Sequence, residues 1–271
     1  MTFFQSLILG LVQGLTEFLP ISSSGHLVLV EHLLDVVPST DITFEVFVHF
    51  GTLMSVVVVM WKDILAIIQS TVKALTGGRL SREYYDENEQ FRLALAIVVG
   101  SVPAAVIGLL FEDAVTAAFT DPKMVSVMLV LTGLILFLTR LAEPVENKNV
   151  GILSAIMIGI AQAIAIVPGI SRSGFTISTA VYLRISPLNA ARFSFLLSIP
   201  VIAGATLLKT KDLVFNGFGA ESVLHIAGGT LMAFLSGYVA IKVLLKIVQQ
   251  GKFSIFAFYC LIAGSLGIIF I

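Results

Sequence analysis

The 271-residue chain is 57% hydrophobic and only 12% charged, about half the ~25% charge of an ordinary soluble domain. A mean hydropathy of +1.02 excludes a water-soluble domain and makes lipid the solvent. A net charge of −1 gives no electrostatic footing for nucleic acid, and the single Cys260 excludes an intramolecular disulfide.

In chain order, the first apolar stretch is 3–19. It follows Met1-Thr2-Phe3-Phe4, which has no basic region and no cleavage site after it, so no removable signal peptide is expected. The stretch ends at Pro20, beside a serine cluster. Runs at about 44–61, 93–111, 124–139, 190–208, 222–245 and 254–271 each approach the roughly 20 apolar residues a spanning helix takes. Thr76–Gln90 mixes both charge signs and reads as a solvated loop. The stretch 150–167 ends at Pro168, again beside serines.

The two serine clusters are copies. At an offset of 149, Gly10/Gly159, Gln13/Gln162, Ile21/Ile170, Ser22/Ser171, Ser24/Ser173 and Gly25/Gly174 are identical, and Leu34/Leu183, Pro38/Pro187, Phe44/Phe193, Lys62/Lys211 and Asp63/Asp212 continue the register. Helix breaks at matching positions of two halves point to a site at the interface between repeats. The expected fold is an all-α integral membrane protein, a single membrane domain over 1–271. Its repeats, 1–123 and 150–271, each hold a broken re-entrant helix hairpin and about three spanning helices.

With 1–37 and 150–187 as hairpins that enter and leave on one face, the N-terminus shares a face with loops 38–43, 112–123 and 209–221 and with the C-terminus. That face carries Lys123, Lys209 and Lys211. The opposite face carries Lys62, Lys73, Arg79, Arg82, Arg92, Arg140, Lys148, Arg184, Arg192, Lys242, Lys246 and Lys252. The bias puts both termini outside the cytoplasm and makes the repeats inverted.

Gln13 and Glu17 share a helix face. An acid inside an apolar segment costs about 2.5–3.5 kcal/mol on insertion scales and usually marks function. Glu17 is therefore a metal ligand, an acid/base group or a hydrogen-bonded packing residue. Ser22, Ser23 and Ser24 precede Gly25-His26 and an apolar run, which is helix-capping chemistry and equally an anion site. The second copy, Pro168-Gly169-Ile170-Ser171-Arg172-Ser173-Gly174, adds a guanidinium suited to phosphate oxygens or to pairing with Glu17. These groups describe a receptor for a polyanion on an apolar carrier, with His26 as a candidate acid or base. His32, His49 and His225 read as structural or boundary residues.

At these residues the chain resembles the undecaprenyl-diphosphatase family, the bacterial bacitracin-resistance membrane phosphatases. One motif is Gln13, Glu17 and Leu19-Pro20-Ile21-Ser22-Ser23-Ser24-Gly25-His26; the other is Pro168-Gly169-Ile170-Ser171-Arg172-Ser173-Gly174-Phe175-Thr176. The resemblance implies hydrolysis of undecaprenyl diphosphate to undecaprenyl phosphate and inorganic phosphate at the outer side of the bacterial cytoplasmic (inner) membrane. This recycles the lipid carrier for cell-wall synthesis and confers bacitracin resistance. It implies a divalent cation, Mg2+ or Ca2+, at Glu17 and Gln13. It also implies a catalytic set of Glu17, Ser23, His26 and Arg172, with Ser22, Ser24, Ser171, Ser173 and Thr176 on the substrate. Many relatives have Glu where this chain has Gln13, which leaves Glu17 as the sole acid on that helix.

The expected mechanism is in-line attack on the terminal phosphorus, by Ser23 with His26 as base or by an activated water. The partners are the lipid diphosphate and membrane lipid, with a homodimer compatible and nucleic acid excluded. Inverted repeats with broken helices are also transporter architecture, so a transporter or flippase of polyprenyl phosphate is the rival reading.

Overall fold

The computed structural model describes residues 1–36, 43–78, 80–111, 121–143, 149–216 and 223–271. Every regular element among them is helical: α1 (Phe3–Phe18), α2 (Ser23–Leu33), α3 (Thr43–Val59), α4 (Trp61–Thr76), α5 (Arg82–Glu87), α6 (Glu89–Leu110), α7 (Pro122–Leu138), α8 (Ile152–Ile164), α9 (Arg172–Tyr182), α10 (Pro187–Asn216), α11 (Val223–Gln249) and α12 (Ile255–Phe270). A 3₁₀ turn, Thr139–Leu141, extends α7. Of the expected loops, 38–42, 112–120 and 217–222 lie outside the described residues. So do Pro38, Arg79, Lys148 and the side chains of Lys209 and Asp212.

Four helices, α6, α7 with its 3₁₀ turn, α10 and α11, are long and apolar enough to cross a membrane, and α3 with α4 makes a fifth if counted together. The chain is a multi-pass membrane protein. The arms α2 and α9 have 11 residues each, about 16 Å at 1.5 Å per residue, against a hydrocarbon layer of about 30 Å. Neither arm is long enough to cross alone.

Three boundaries differ from those expected. The span 44–61 ends in a 79° bend between α3 and α4: the last turn of α3, Val56–Val59, is apolar, whereas α4 starts with Trp61-Lys62-Asp63 and leaves that line. The stretch Thr76–Gln90 is not all loop. Ser81 accepts from the Tyr84 amide and Asn88 from the Phe91 amide, caps that start α5 and α6. The span 190–208 runs on as helix to Asn216.

Helices in lipid gain little from burying apolar surface and associate through close packing at small residues. On α1, a Cβ at Gly10 would lie 2.2 Å from the Gly229 carbonyl oxygen of α11; on α8, a Cβ at the repeat-equivalent Gly159 would lie 2.3 Å from that of Gly100 on α6. No side chain fits either crossing. α3 also packs on α10, α7 on α12, and both short arms, α2 and α9, pack on α7. The first hairpin is thus held mainly by a helix of the second half, and the second hairpin by a helix of the first.

Candidate active site

Each hairpin tip is a helix stop followed by a capped restart. α1 stops before Leu19-Pro20; α2 restarts on Ser22, whose hydroxyl accepts from the Gly25 amide at 3.1 Å. α9 restarts on Ser171, whose hydroxyl accepts from the Gly174 amide at 3.0 Å. Ser22–Ser24 and Ser171–Ser173 hydroxyl pairs are both 3.3 Å apart. Gly169 holds the second tip at φ 89°, where a Cβ would meet the Val125 carbonyl oxygen at 2.3 Å. That position accepts only glycine. The tips meet: Ser173 donates to the Leu19 carbonyl at 3.1 Å, and a Cβ at Gly25 would stand 3.3 Å from the Gly169 Cα.

Four side chains gather on the carboxylate of Glu17, a buried residue: Ser23 and Arg172 from the two tips, Gln13 from α1 and His49 from α3. Its Oε1 accepts from the Arg172 guanidinium. Its Oε2 accepts from Ser23 Oγ at 2.5 Å and from Gln13 Nε2 at 2.8 Å, and lies 3.5 Å from His49 Nε2. Ser23 and Arg172 are the first residues of α2 and α9, equivalent positions of the two copies. The two half-helices present their first side chains to one carboxylate, and the helix dipoles there favour negative charge.

A cleft of about 180 Å³ opens over this cluster, lined by Glu17, Ser23, Ser24, His49, Ser171 and Arg172 among its polar groups, and closed by Ala165, Ile166, Ile170 and Ile202. That is below the roughly 300–1,000 Å³ of sites that engulf a drug-sized ligand. A larger cavity of about 650 Å³ between α7, α8 and α9 has Thr179 and Tyr182 as its only polar side chains and brings no charge.

The structure sorts the residues singled out from sequence. Glu17, Ser23, Ser24, Ser171 and Arg172 come together on the cleft. Gln13 stands behind Glu17, Ser22 is a buried cap, and Ser173 bonds the opposite tip. Thr176 is fully buried, donating to the Arg172 carbonyl at 2.8 Å with its hydroxyl 2.6 Å from Ser194 Oγ; it supports the helix start and does not line the cleft. His26 also stands aside: Nδ1 is 2.8 Å from the Ser22 carbonyl and Nε2 2.7 Å from the Tyr259 hydroxyl. The histidine on the cleft is His49, read from sequence as a boundary residue. The available signal was an ionisable side chain in the middle of an apolar run, the same signal that marked Glu17. In the second copy Ile166 replaces Glu17, and the buried Gln162 has no hydrogen-bond partner on either side-chain atom.

Divalent cations of the Mg2+ and Ca2+ kind take oxygen ligands, Mg2+ often only one or two carboxylates plus substrate phosphate. No cluster of three or more His, Cys, Asp or Glu side chains is present among the described residues. Gln13 Oε1, buried beside Glu17, has no hydrogen-bond partner, and this orphaned oxygen fits such an ion together with the Glu17 carboxylate.

Comparison with known proteins shows the family. The family model described as bacitracin resistance protein BacA matches residues 6–266. The chain is similar to proteins named undecaprenyl-diphosphatase. It is 45% identical to one from Salinibacter ruber over 269 residues, covering 99% of both chains. It is 43% identical to one from Halothermothrix orenii, covering 99% of this chain and 98% of the other. It is 38% identical to one from Methanosphaera stadtmanae, covering 97% and 96%.

Proposed function

The chain belongs to the bacitracin resistance protein BacA family, and from that premise we propose that it is a membrane phosphatase that converts undecaprenyl diphosphate to undecaprenyl phosphate and inorganic phosphate. The observation that carries this reading is the Glu17 carboxylate gripped by Ser23 and Arg172 from two facing half-helix starts. Such an arrangement suits a phosphoryl group, because positioning and charge stabilisation carry most of the catalysis of its transfer.

In this reading the diphosphate enters the cleft with its tail in lipid. Arg172 exchanges part of its contact with Glu17 for phosphate oxygens and stabilises the charge on the departing lipid phosphate. Ser23 passes its proton to Glu17, to which its hydrogen bond is directed, as its Oγ attacks the terminal phosphorus in line. A P–O bond forms, the bridging P–O bond breaks, and the pair of electrons leaves with undecaprenyl phosphate; water then frees inorganic phosphate from the serine. Direct attack by water gives the same products. Glu17 and Gln13 would hold a divalent cation, which supplies further charge neutralisation for the diphosphate. His26 fixes the start of α2 through Ser22 and Tyr259.

The decisive measurement is phosphate release from the lipid diphosphate by purified protein in detergent, with and without chelator. Release that chelator suppresses is the expected result. Transport of polyprenyl phosphate without release would make the chain a flippase, a reading that the crossed packing of the two halves keeps as the rival outcome.

We further propose that the repeats are inverted and the cleft opens to the outer face of the inner membrane, where hydrolysis would recycle the carrier for wall synthesis and oppose bacitracin. The bias of basic residues supports this orientation. Arg82 and Lys123 are both exposed, and Cys260 is buried. In a Cys260→Ala background, Lys123→Cys is expected to label with an impermeant thiol reagent on intact cells and Arg82→Cys only after lysis. Labelling of both on intact cells would rule out the inverted arrangement.

A further inference from the structure

The cleft has two kinds of wall. Its polar side chains suit a diphosphate, whereas Ala165, Ile166, Ile170 and Ile202 offer a ligand no side-chain hydrogen bond. Three of these four are buried and Ile166 is half-buried. Ile166 stands where the repeat puts Glu17, so divergence of the copies left this part of the cleft apolar. Its side chain reaches toward α6. A Cβ at Gly108 would lie 3.9 Å from Ile166 Cδ1 and, the α6 backbone aside, no other heavy atom of the described residues comes within 4 Å. About two turns earlier the same neighbours touch backbone to backbone, at Gly100 and Gly159. α6 and the second hairpin therefore close at one end and part at the other. Pro103 lies between the two glycines of α6; a proline inside a helix removes a backbone hydrogen bond and kinks it, which lets α6 leave that contact. Past Gly108, Leu109 and Leu110 are exposed and face lipid.

We propose that the seam between Gly108 and Ile166 is where the prenyl chain of the substrate leaves the cleft for lipid. The inference rests on the phosphatase reading and adds a path to it. The diphosphate meets Arg172, and the first isoprene units lie over Ile166, where they need no hydrogen-bond partner and bury apolar surface. The competing place for a prenyl chain is the apolar cavity between α7, α8 and α9. Ala165 and Ile170 line the cleft, Ala161 and Phe175 line that cavity, and the four pack as one cluster that separates the two.

A bulky side chain at residue 108 tests the seam. Gly108→Leu puts side-chain atoms between α6 and Ile166, at a helical position where leucine is the better helix former. Val106→Phe adds bulk on the opposite, exposed face of α6 and is the control. Purified proteins are compared for kcat and KM on undecaprenyl diphosphate, with thermal unfolding measured alongside. The expected result is a kcat/KM at least about tenfold lower in Gly108→Leu, with an unfolding temperature no lower than wild type, and wild-type values in Val106→Phe. Adding Ile166→Ala to Gly108→Leu reopens the seam and restores most of the loss. In wild-type protein, a prenyl diphosphate with a diazirine in its second isoprene unit is expected to label α6 near Gly108. Wild-type kcat/KM in Gly108→Leu overturns the inference, as does a loss tracked by unfolding temperature or left unrescued by Ile166→Ala. Label at Thr179 or Tyr182 instead places the chain in the other cavity and also overturns it. A wild-type protein that takes the label near Gly108 but releases no phosphate overturns the phosphatase reading and leaves the path standing.

Discussion

Ser23→Ala is expected to lower phosphate release by at least about 10³-fold, the scale on which deletion of an attacking group acts, while the protein stays folded and still binds lipid diphosphate. The structure gives the three neighbouring serines different work. Ser22 caps α2, so Ser22→Ala should cost about 0.5–2 kcal/mol of stability and leave chemistry in the folded fraction. Ser24 lines the cleft but has its hydroxyl against Ser22. Only Ser23 bonds Glu17, at 2.5 Å. Kinetics of the three alanine variants, normalised to folded protein, test the assignment. Equal losses in all three would reduce the cluster to an anion-binding cap and make water the attacking group from the start.

Arg172→Lys keeps the charge and loses the planar fork. Turnover should fall by at least about tenfold, equivalent to about 1.4 kcal/mol of transition-state stabilisation. Arg172→Ala should be worse in a second way. The Glu17 side chain is 3% exposed, and stripping a buried charge of its partner costs about 3–5 kcal/mol, so unfolding temperature should fall together with activity. The double variant Arg172→Ala with Glu17→Gln should regain much of that stability and none of the activity. A lysine variant with wild-type turnover would mean that Arg172 serves Glu17 alone and never contacts phosphate.

Much of this site was legible because breaks in apolar sequence are conspicuous. Proline, glycine and serine at matching places in two halves give the tips, and the one acid and one guanidinium there are too costly in lipid to be idle. The pairing of Glu17 with Arg172 was open beforehand as an alternative to phosphate binding; the structure shows the pair made. The register also hides information. Ser23 and Arg172 share one position in the two copies, but a search for identity skips them because their side chains differ. His49 was missed for another reason. It belongs to neither tip, and only tertiary packing of α3 on α1 carries it to Glu17. His26 was favoured by proximity in sequence to the serines, yet a helix turn points it to Tyr259. In the fold, α4 and the extended α10 departed from expectation because apolar length alone says nothing about where a helix bends or how far past the apolar run it continues.

The carboxylate comes from the first hairpin and the guanidinium from the second, and each hairpin leans on a helix of the other half. The candidate site is therefore a junction between two partners that happen to be covalently joined. Neither partner alone holds both charges, so insertion of one half into the membrane leaves its charge waiting for the other. Activity thereby reports completed assembly. It also follows that neither half can lose its charged side chain without leaving the other's unpaired.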